Sequence, residues 1–313
     1  MKNIVLFCKS YEKDVYRAKR LADSIDRYNI DKIPFFISVP QSDIDLFKKN
    51  FKKNNCIFLT DEEIIENSCN IFGKIPYYFS DHLKQQLIKL EFWRMDKSKN
   101  YAWIDSDSYF IKDFKISDFM YNDEIPYTIR QEYNEDEKRR KWKNIPEKIQ
   151  DKRIGNGLKQ VSTFKALFGN VNKNYDFGVS TPIIWSCHVL KNLYQNYLIP
   201  ENKSIFELLS EYPCETFLYG YYLIHSKCMP IYPKSHMFKN FDYADEFIAS
   251  EMMGENEHSI SKQYLGICIQ SNWALFTEKK SLSHRLQKRR QELMNGIWKA
   301  NSKLIGLFYK NDK

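Results

Sequence analysis

The chain has 313 residues, 43% hydrophobic and 28% charged, which is ordinary for a globular protein able to bury a real core. Its net charge of +8 is uneven: residues 277–313 carry +7 and residues 1–276 about +1. The basicity belongs to the tail, which argues against a nucleic-acid enzyme, where positive charge spreads across the cleft. The seven cysteines are scattered with no CxxC pair and the six histidines lack metal-ligand spacing, which argues against a disulfide framework and a zinc site.

The N-terminal apolar stretch Ile4–Cys8 is too short for the core of a secretory leader. No apolar run approaches the ~20 residues of a spanning helix. Both predict a cytoplasmic protein.

"NIVLFCKSY" reads as a first strand, and "KDVYRAKRLADSIDRYN" follows with Val15, Ala18, Leu21, Ala22 and Ile25 at helical spacing. "IPFFISVP" is a second strand closed by Pro40, and "SDIDLFKKNF" a short helix with Ser42 as its N-cap. "NCIFLTDEEII" supplies a third strand and a helix start. "SDHLKQQLIKLEFWRM" is the clearest helix. Leu83, Leu87, Leu90 and Trp93 face the sheet, and Gln86 and Lys89 lie on a neighbouring stripe. "YAWIDSDSYFI" is the next strand.

Residues 132–153 are densely charged with mixed sign and read as a solvated insertion, with "IGNG" after it as a loop. A strand through Ile183 and Ile184, a helix, two helical pieces broken at Pro213, and a late strand "YLGICIQSNWAL" complete the body. Alternating strands and helices predict an α/β fold, Rossmann-like, with a mostly parallel central sheet in one domain over residues 1–276. A basic, partly amphipathic helical extension is expected over 277–313.

The strand "YAWI" runs straight into Asp105 and Asp107. In an open α/β sheet ligands collect at the carboxyl ends of strands. Residues two apart on a strand share a side, so the two carboxylates converge if the extended shape continues. Paired carboxylates suit Mg²⁺ or Mn²⁺ shared with substrate phosphates, which points to transfer away from a diphosphate. The same spacing also fits a surface turn with Asp105 as a cap and Asp107 solvated.

The ordered series "IVLFCKSYEKD", "QQLIKLEFWR", "WIDSDSYF", "YDFGVSTPIIW", "CETFLYGYYL" and "ICIQSNW" resembles a GT-A glycosyltransferase over roughly residues 3–275. That family is nucleotide-sugar-dependent and carries a DXD motif; the chain is most similar to its bacterial capsule and lipooligosaccharide enzymes. The resemblance implies a UDP-, GDP- or CMP-type donor, with UDP-sugars favoured, a glycan or lipid-linked glycan acceptor, no nucleic acid, and Mn²⁺ or Mg²⁺ as cofactor. It implies Asp107 as a direct metal ligand, and Asp105 on the metal through water or on the donor ribose. Ser106 and Ser108 would donate to sugar or phosphate oxygens. Tyr11 would stack on the base, Lys9 would meet the diphosphate, and Gln86 and Lys89 would reach the donor. Glu215, opening a helix after Pro213, is the expected general base, with Asp176 the alternative; a retaining reaction would need neither. Trp185, Tyr219, Tyr221 and Tyr222 serve an acceptor groove or the core.

Two positions depart from the family's pattern. Gln270 stands where a histidine is usual as third metal ligand, and Asp176 stands two residues before Gly178 instead of adjacent to it. Other readings are a sugar nucleotidyltransferase, disfavoured because "CKSYEKD" lacks glycine, and a non-catalytic membrane or RNA-binding protein using the tail. In the tail, Leu282, Leu286, Leu293, Ile297 and Trp298 interleave with Arg and Lys, which suits a peripheral position on an anionic inner-membrane surface or packing on a core.

Overall fold

The computed structural model describes residues 2–143, 146–169, 171–178 and 181–270. The expected tail helix, and the boundary at 276/277, lie outside the described residues. Along the chain the elements run β1 (Lys2–Lys9), α1 (Val15–Tyr28), β2 (Phe35–Val39), α2 (Ile44–Asn50), β3 (Cys56–Thr60), α3 (Asp61–Phe72), α4 (Asp81–Glu91) and β4 (Ser98–Trp103). Next come β5 (Ser108–Phe110), α5 (Ile116–Phe119), β6 (Thr128–Ile129), β7 (Gln131–Glu132), α6 (Glu135–Lys141), α7 (Glu147–Phe168), β8 (Tyr175–Asp176) and β9 (Ile183–Ser186). The rest is α8 (Cys187–Leu193), α9 (Ile205–Glu211), α10 (Glu215–Ser226), β10 (Pro233–Lys234), β11 (Phe238–Phe241), α11 (Ala244–Met252), α12 (Glu257–Ser261) and β12 (Gly266–Ile269).

Apolar residues on both faces of β1 and β2 fit strands covered on both sides. They form the centre of a five-stranded sheet of order β3-β2-β1-β4-β9. Its first four strands are parallel, and β9 adds antiparallel to β4. This is the expected α/β fold with a mostly parallel sheet. A second sheet of order β11-β12-β5 stands beside it, with β12 antiparallel to β5. Where the central sheet meets α10 and the end of α4 the core is aromatic: Phe7 stacks on Phe92 at 4.0 Å, and Trp185 meets Tyr101, Trp103 and Tyr219.

The helix α1 buries Val15, Ala18, Leu21, Ala22 and Ile25, the stripe that its spacing predicts. Helix α3 opens on a capping box, Thr60 with Glu63, satisfying two backbone donors. Pro213 separates α9 from α10 as expected. No helix among the described residues is long and apolar enough to cross a membrane.

Three local expectations are corrected. Ser42 does not cap α2; a 3-10 turn precedes that helix, and Asp43 holds the cap position while its carboxylate accepts the Glu12 N–H at 2.7 Å. "IGNG" is interior to α7, not a loop. Gly157 is there because a Cβ would come within 2.4 Å of the Tyr133 hydroxyl, so tight packing outweighs the helix cost of glycine. The charged stretch 132–153 is only partly solvated. Helix α6 buries nothing, but Trp142 after it is buried and its indole N–H donates to Glu246 at 2.6 Å.

Glu91 ends α4 with a side chain 0% exposed, facing Arg94 at 2.8 Å and accepting from the Tyr194 hydroxyl. Burial lifts its pKa from 4.5 to about 7, against the opposing pull of Arg94. A carboxyl raised on folding stabilises below its unfolded value, and the benefit is lost as pH climbs through the folded value. Between pH 4.5 and about 7 this group should therefore remove on the order of 3 kcal/mol of stability as pH rises. Urea unfolding of Glu91→Gln against the parent checks this: the gap between them should grow across that window, and parallel pH profiles would contradict it.

Candidate active site

The strand that ends in two aspartates ends there because the chain passes from one sheet to the other. Strand β4 stops at Trp103 and β5 begins at Ser108. Between them the chain turns, with the Ser108 N–H donating to the Asp105 carbonyl at 3.1 Å. The expectation of an extended strand through both aspartates is corrected: a turn, and no shared strand face, brings them near each other. Asp107 is not solvated either, being 5% exposed. Its carbonyl accepts from the Ile269 N–H of β12 at 3.1 Å and from Arg20 of α1 at 3.4 Å. Its carboxylate accepts from the Cys268 thiol at 3.5 Å. The late strand thus lies against the motif, and Gln270 follows at its end.

Lys89 is the centre of the site. Its ammonium lies 2.9 Å from Asp105 Oδ1 and 3.2 Å from Glu215 Oε1, and 3.8 Å from the centroid of the Trp103 ring. Burial alone would lower the Lys89 pKa; the charges of Asp105 and then Glu215 outweigh it and hold the group well above the usual lysine value. Helix α4 presents Lys89 to both partners. Ser80 caps α4, and residues 82, 86 and 89 share one helical stripe. That stripe faces the turn at Pro213, where Gln86 donates to the Pro213 carbonyl at 3.3 Å. Glu215 is the first residue of α10 directly after it. Gln86 and Lys89 are therefore buried, not a solvated helix face.

The remaining expected residues are held by separate partners. Lys9, at the end of β1, pairs with Asp61 at 2.9 Å, and Asp61 also accepts from Ser38. Ser106 donates to Asp14 at 3.4 Å, and Asp14 pairs with Arg17. Tyr11 is partly exposed in the loop after β1, its phenol pKa raised by burial and then by the Asp14 charge. Ser108 shares a hydrogen bond with Thr181 at 2.9 Å.

Asp176 belongs to a separate ionic group: it pairs with Lys138 at 2.8 Å and accepts the Gly178 N–H at 2.8 Å. Burial would raise its pKa, but Lys138 and the Gly178 amide pull it below the usual carboxylate value. His236 joins this group; burial lowers its pKa against the pull of Asp176. Gly178 needs its positive φ of 72° and its missing Cβ, which would stand 2.3 Å from the His236 ring. Trp185, Tyr219, Tyr221 and Tyr222 are all buried in the aromatic core, which corrects their expected share in an acceptor groove.

Arg20, Arg17 and Asp14 were not singled out from the sequence. Their three-residue spacing, from the N-cap of α1 into the helix, marks one stripe, but only the turn of β4 into β5 brings that stripe to the motif. Arg20 also lies 4.2 Å over the Tyr109 ring.

Among the described residues no group of three or more His, Cys, Asp and Glu is placed to hold a metal ion. The donor set expected from the sequence, Asp105 and Asp107 with the Gln270 amide, does not form a closed protein cage. It fits a hard cation that takes most of its shell from water and phosphate oxygens, as Mg²⁺ does. Asp105 Oδ1 is already engaged by Lys89.

Fold and site together define an α/β protein whose candidate site lies at the carboxyl ends of its central parallel strands, where such sheets bind ligands. The chain belongs to the family described as "Family of unknown function (DUF6492)", which matches residues 3–272. No curated protein matches it. Among solved structures it is similar to the crystal structure of mouse xyloside xylosyltransferase 1 in its apo form, at 7% identity and a TM-score of 0.45. The match covers 85% of this chain and 97% of that one.

Proposed function

We propose that this protein is a GT-A-type glycosyltransferase that moves a sugar from a nucleotide-diphosphate donor, a UDP-sugar first, to a glycan acceptor. The observation that carries the reading is the Lys89 bridge, which sets Asp105 of the DXD turn and Glu215 of α10 against one buried cation. That arrangement joins a diphosphate-side motif to a carboxylate able to take a proton.

In this reading Asp105, Ser106 and Asp107 face the donor, with Gln270 beside them. Lys9, Tyr11 and Gln86 flank it. Mn²⁺ or Mg²⁺ would be held by Asp107 and the free side of Asp105, and would offset charge on the departing diphosphate. Glu215 takes the acceptor hydroxyl proton, which makes the displacement inverting. Lys89 holds Glu215 through Oε1, so the base works through Oε2. Asp176 is engaged by Lys138 and the Gly178 amide and not by Lys89. It instead fixes the glycine turn after β8. A surface glycan such as capsule or lipooligosaccharide is the proposed acceptor, with the basic tail bringing the enzyme to an inner-membrane surface.

The test is a thermal-shift panel of UDP-, GDP- and CMP-sugars, with and without Mn²⁺. A saturating donor should raise Tm by roughly 5 °C. A panel in which no nucleotide sugar shifts Tm overturns the reading. A shift that ignores Mn²⁺ removes only the metal.

A further inference from the structure

We infer that β3, at one edge of the central sheet, is an interface for a second copy of this chain, the two β3 strands pairing antiparallel about a two-fold axis. In the order β3-β2-β1-β4-β9 the strand β3 is terminal, and among the described residues no strand lies on its outer side. A row of backbone N–H and C=O groups is therefore left to water or to a partner. Folded proteins protect such an edge with charged side chains, proline, bulges or a covering element. The opposite edge, β9, is buried at every residue. In the second sheet the edge strand β11 carries Lys239, which pairs with Glu255. β3 reads Cys-Ile-Phe-Leu-Thr, without charge or proline, and Ile57 within it is 49% exposed.

Apolar surface borders the strand on both faces of the sheet. Phe58 turns toward α2, edge to face with Phe51 at 5.7 Å, so its neighbour Ile57 points to the other face. On α2 itself Leu46 is 39% exposed. The charges around the strand name the occupant. At its amino end stand the exposed Lys48 and Lys49, in the last turn of α2, and the exposed Lys52 and Lys53 in the turn before β3. At its carboxyl end Glu62 and Glu66, exposed on one stripe of α3, supply the opposite sign. Antiparallel pairing of two copies sets the lysines of each against the glutamates of the other, twice over, as an isologous contact requires. Parallel pairing would set like charges together. The edge is thus complementary to itself in one direction only. Two strands, β2 and β1, separate β3 from β4 and the aspartate turn, so the pairing leaves the candidate site uncovered.

The experiment is sedimentation velocity on the full chain over a dilution series at low salt. The parent should associate reversibly into a dimer. Ile57→Lys puts a charge on the edge and should weaken that dimer by about tenfold or more. Lys52→Glu/Lys53→Glu sets acid against acid at both ends of the pairing, and Glu62→Lys/Glu66→Lys sets base against base, so each variant alone should stay monomeric. An equal mixture of the two should dimerise, because every end then meets its opposite. All five substituted residues are exposed, so the variants should keep the parent's melting temperature. A parent that is monomeric throughout, an Ile57→Lys variant that dimerises as the parent does, or a mixture no better associated than its components each overturns the interface.

Discussion

Lys89→Met should lower the unfolding free energy by about 3–5 kcal/mol near neutral pH, because it leaves Asp105 and Glu215 facing each other with no cation between them. The Lys89 ammonium is enclosed by two carboxylates and the Trp103 ring, so water cannot take over its role. Its pKa is raised on folding. The stabilisation is then complete below the ordinary lysine value and is lost only as pH rises through the raised one. Across pH 7–9 the parent should keep it. Urea unfolding over this range measures it. Adding Asp105→Asn to Lys89→Met should recover about 1 kcal/mol or more, since one of the opposed charges is gone. A loss below about 1 kcal/mol for Lys89→Met would mean that solvent screens the pair as it does at a surface.

The sheet was legible because its signals are local and repeated. The apolar runs of β1, β2 and β3, and the stripe Val15–Ala18–Leu21–Ala22–Ile25, each specify an element without reference to the rest. Gly155 and Gly157 were misleading for the opposite reason. They read as a loop, but α7 is held by contacts from afar, such as Tyr133 over Gly157. The site shows the same division. Asp105, Glu215, Lys89 and Gln86 could be nominated individually, since each sits at a strand end or a helix start or on a periodic stripe. That Lys89 bridges two of them is a tertiary fact: its partners lie 16 and 126 residues away in sequence, and no spacing rule reaches so far. The turn at Ser106 and Asp107 was hidden by the apolar "SYF" that follows it. That segment continues the strand pattern, although it belongs to a different sheet.

Glu215→Gln should reduce sugar transfer by about 10²–10⁴-fold while donor affinity stays within about twofold, the signature of a lost general base. The amide is isosteric and still accepts from Lys89 through its carbonyl, so the fold around Pro213 and Gln86 is kept. What is lost is the ability to take a proton from the acceptor hydroxyl. Asp176→Asn is the informative contrast. Asp176 sits in its own group with Lys138, His236 and the Gly178 amide. Its depressed pKa makes folding depend on its charge: the stability it adds is present above the ordinary aspartate value and is lost as pH falls through the lowered one. Asp176→Asn should therefore cost stability at neutral pH and affect transfer much less than Glu215→Gln. Initial rates with saturating donor and a glycan acceptor, set beside melting temperatures, separate the two carboxylates. The opposite pattern, with transfer lost in Asp176→Asn and kept within a few-fold in Glu215→Gln, would move the base to the β8 turn. Lys89 would then be left with a structural role.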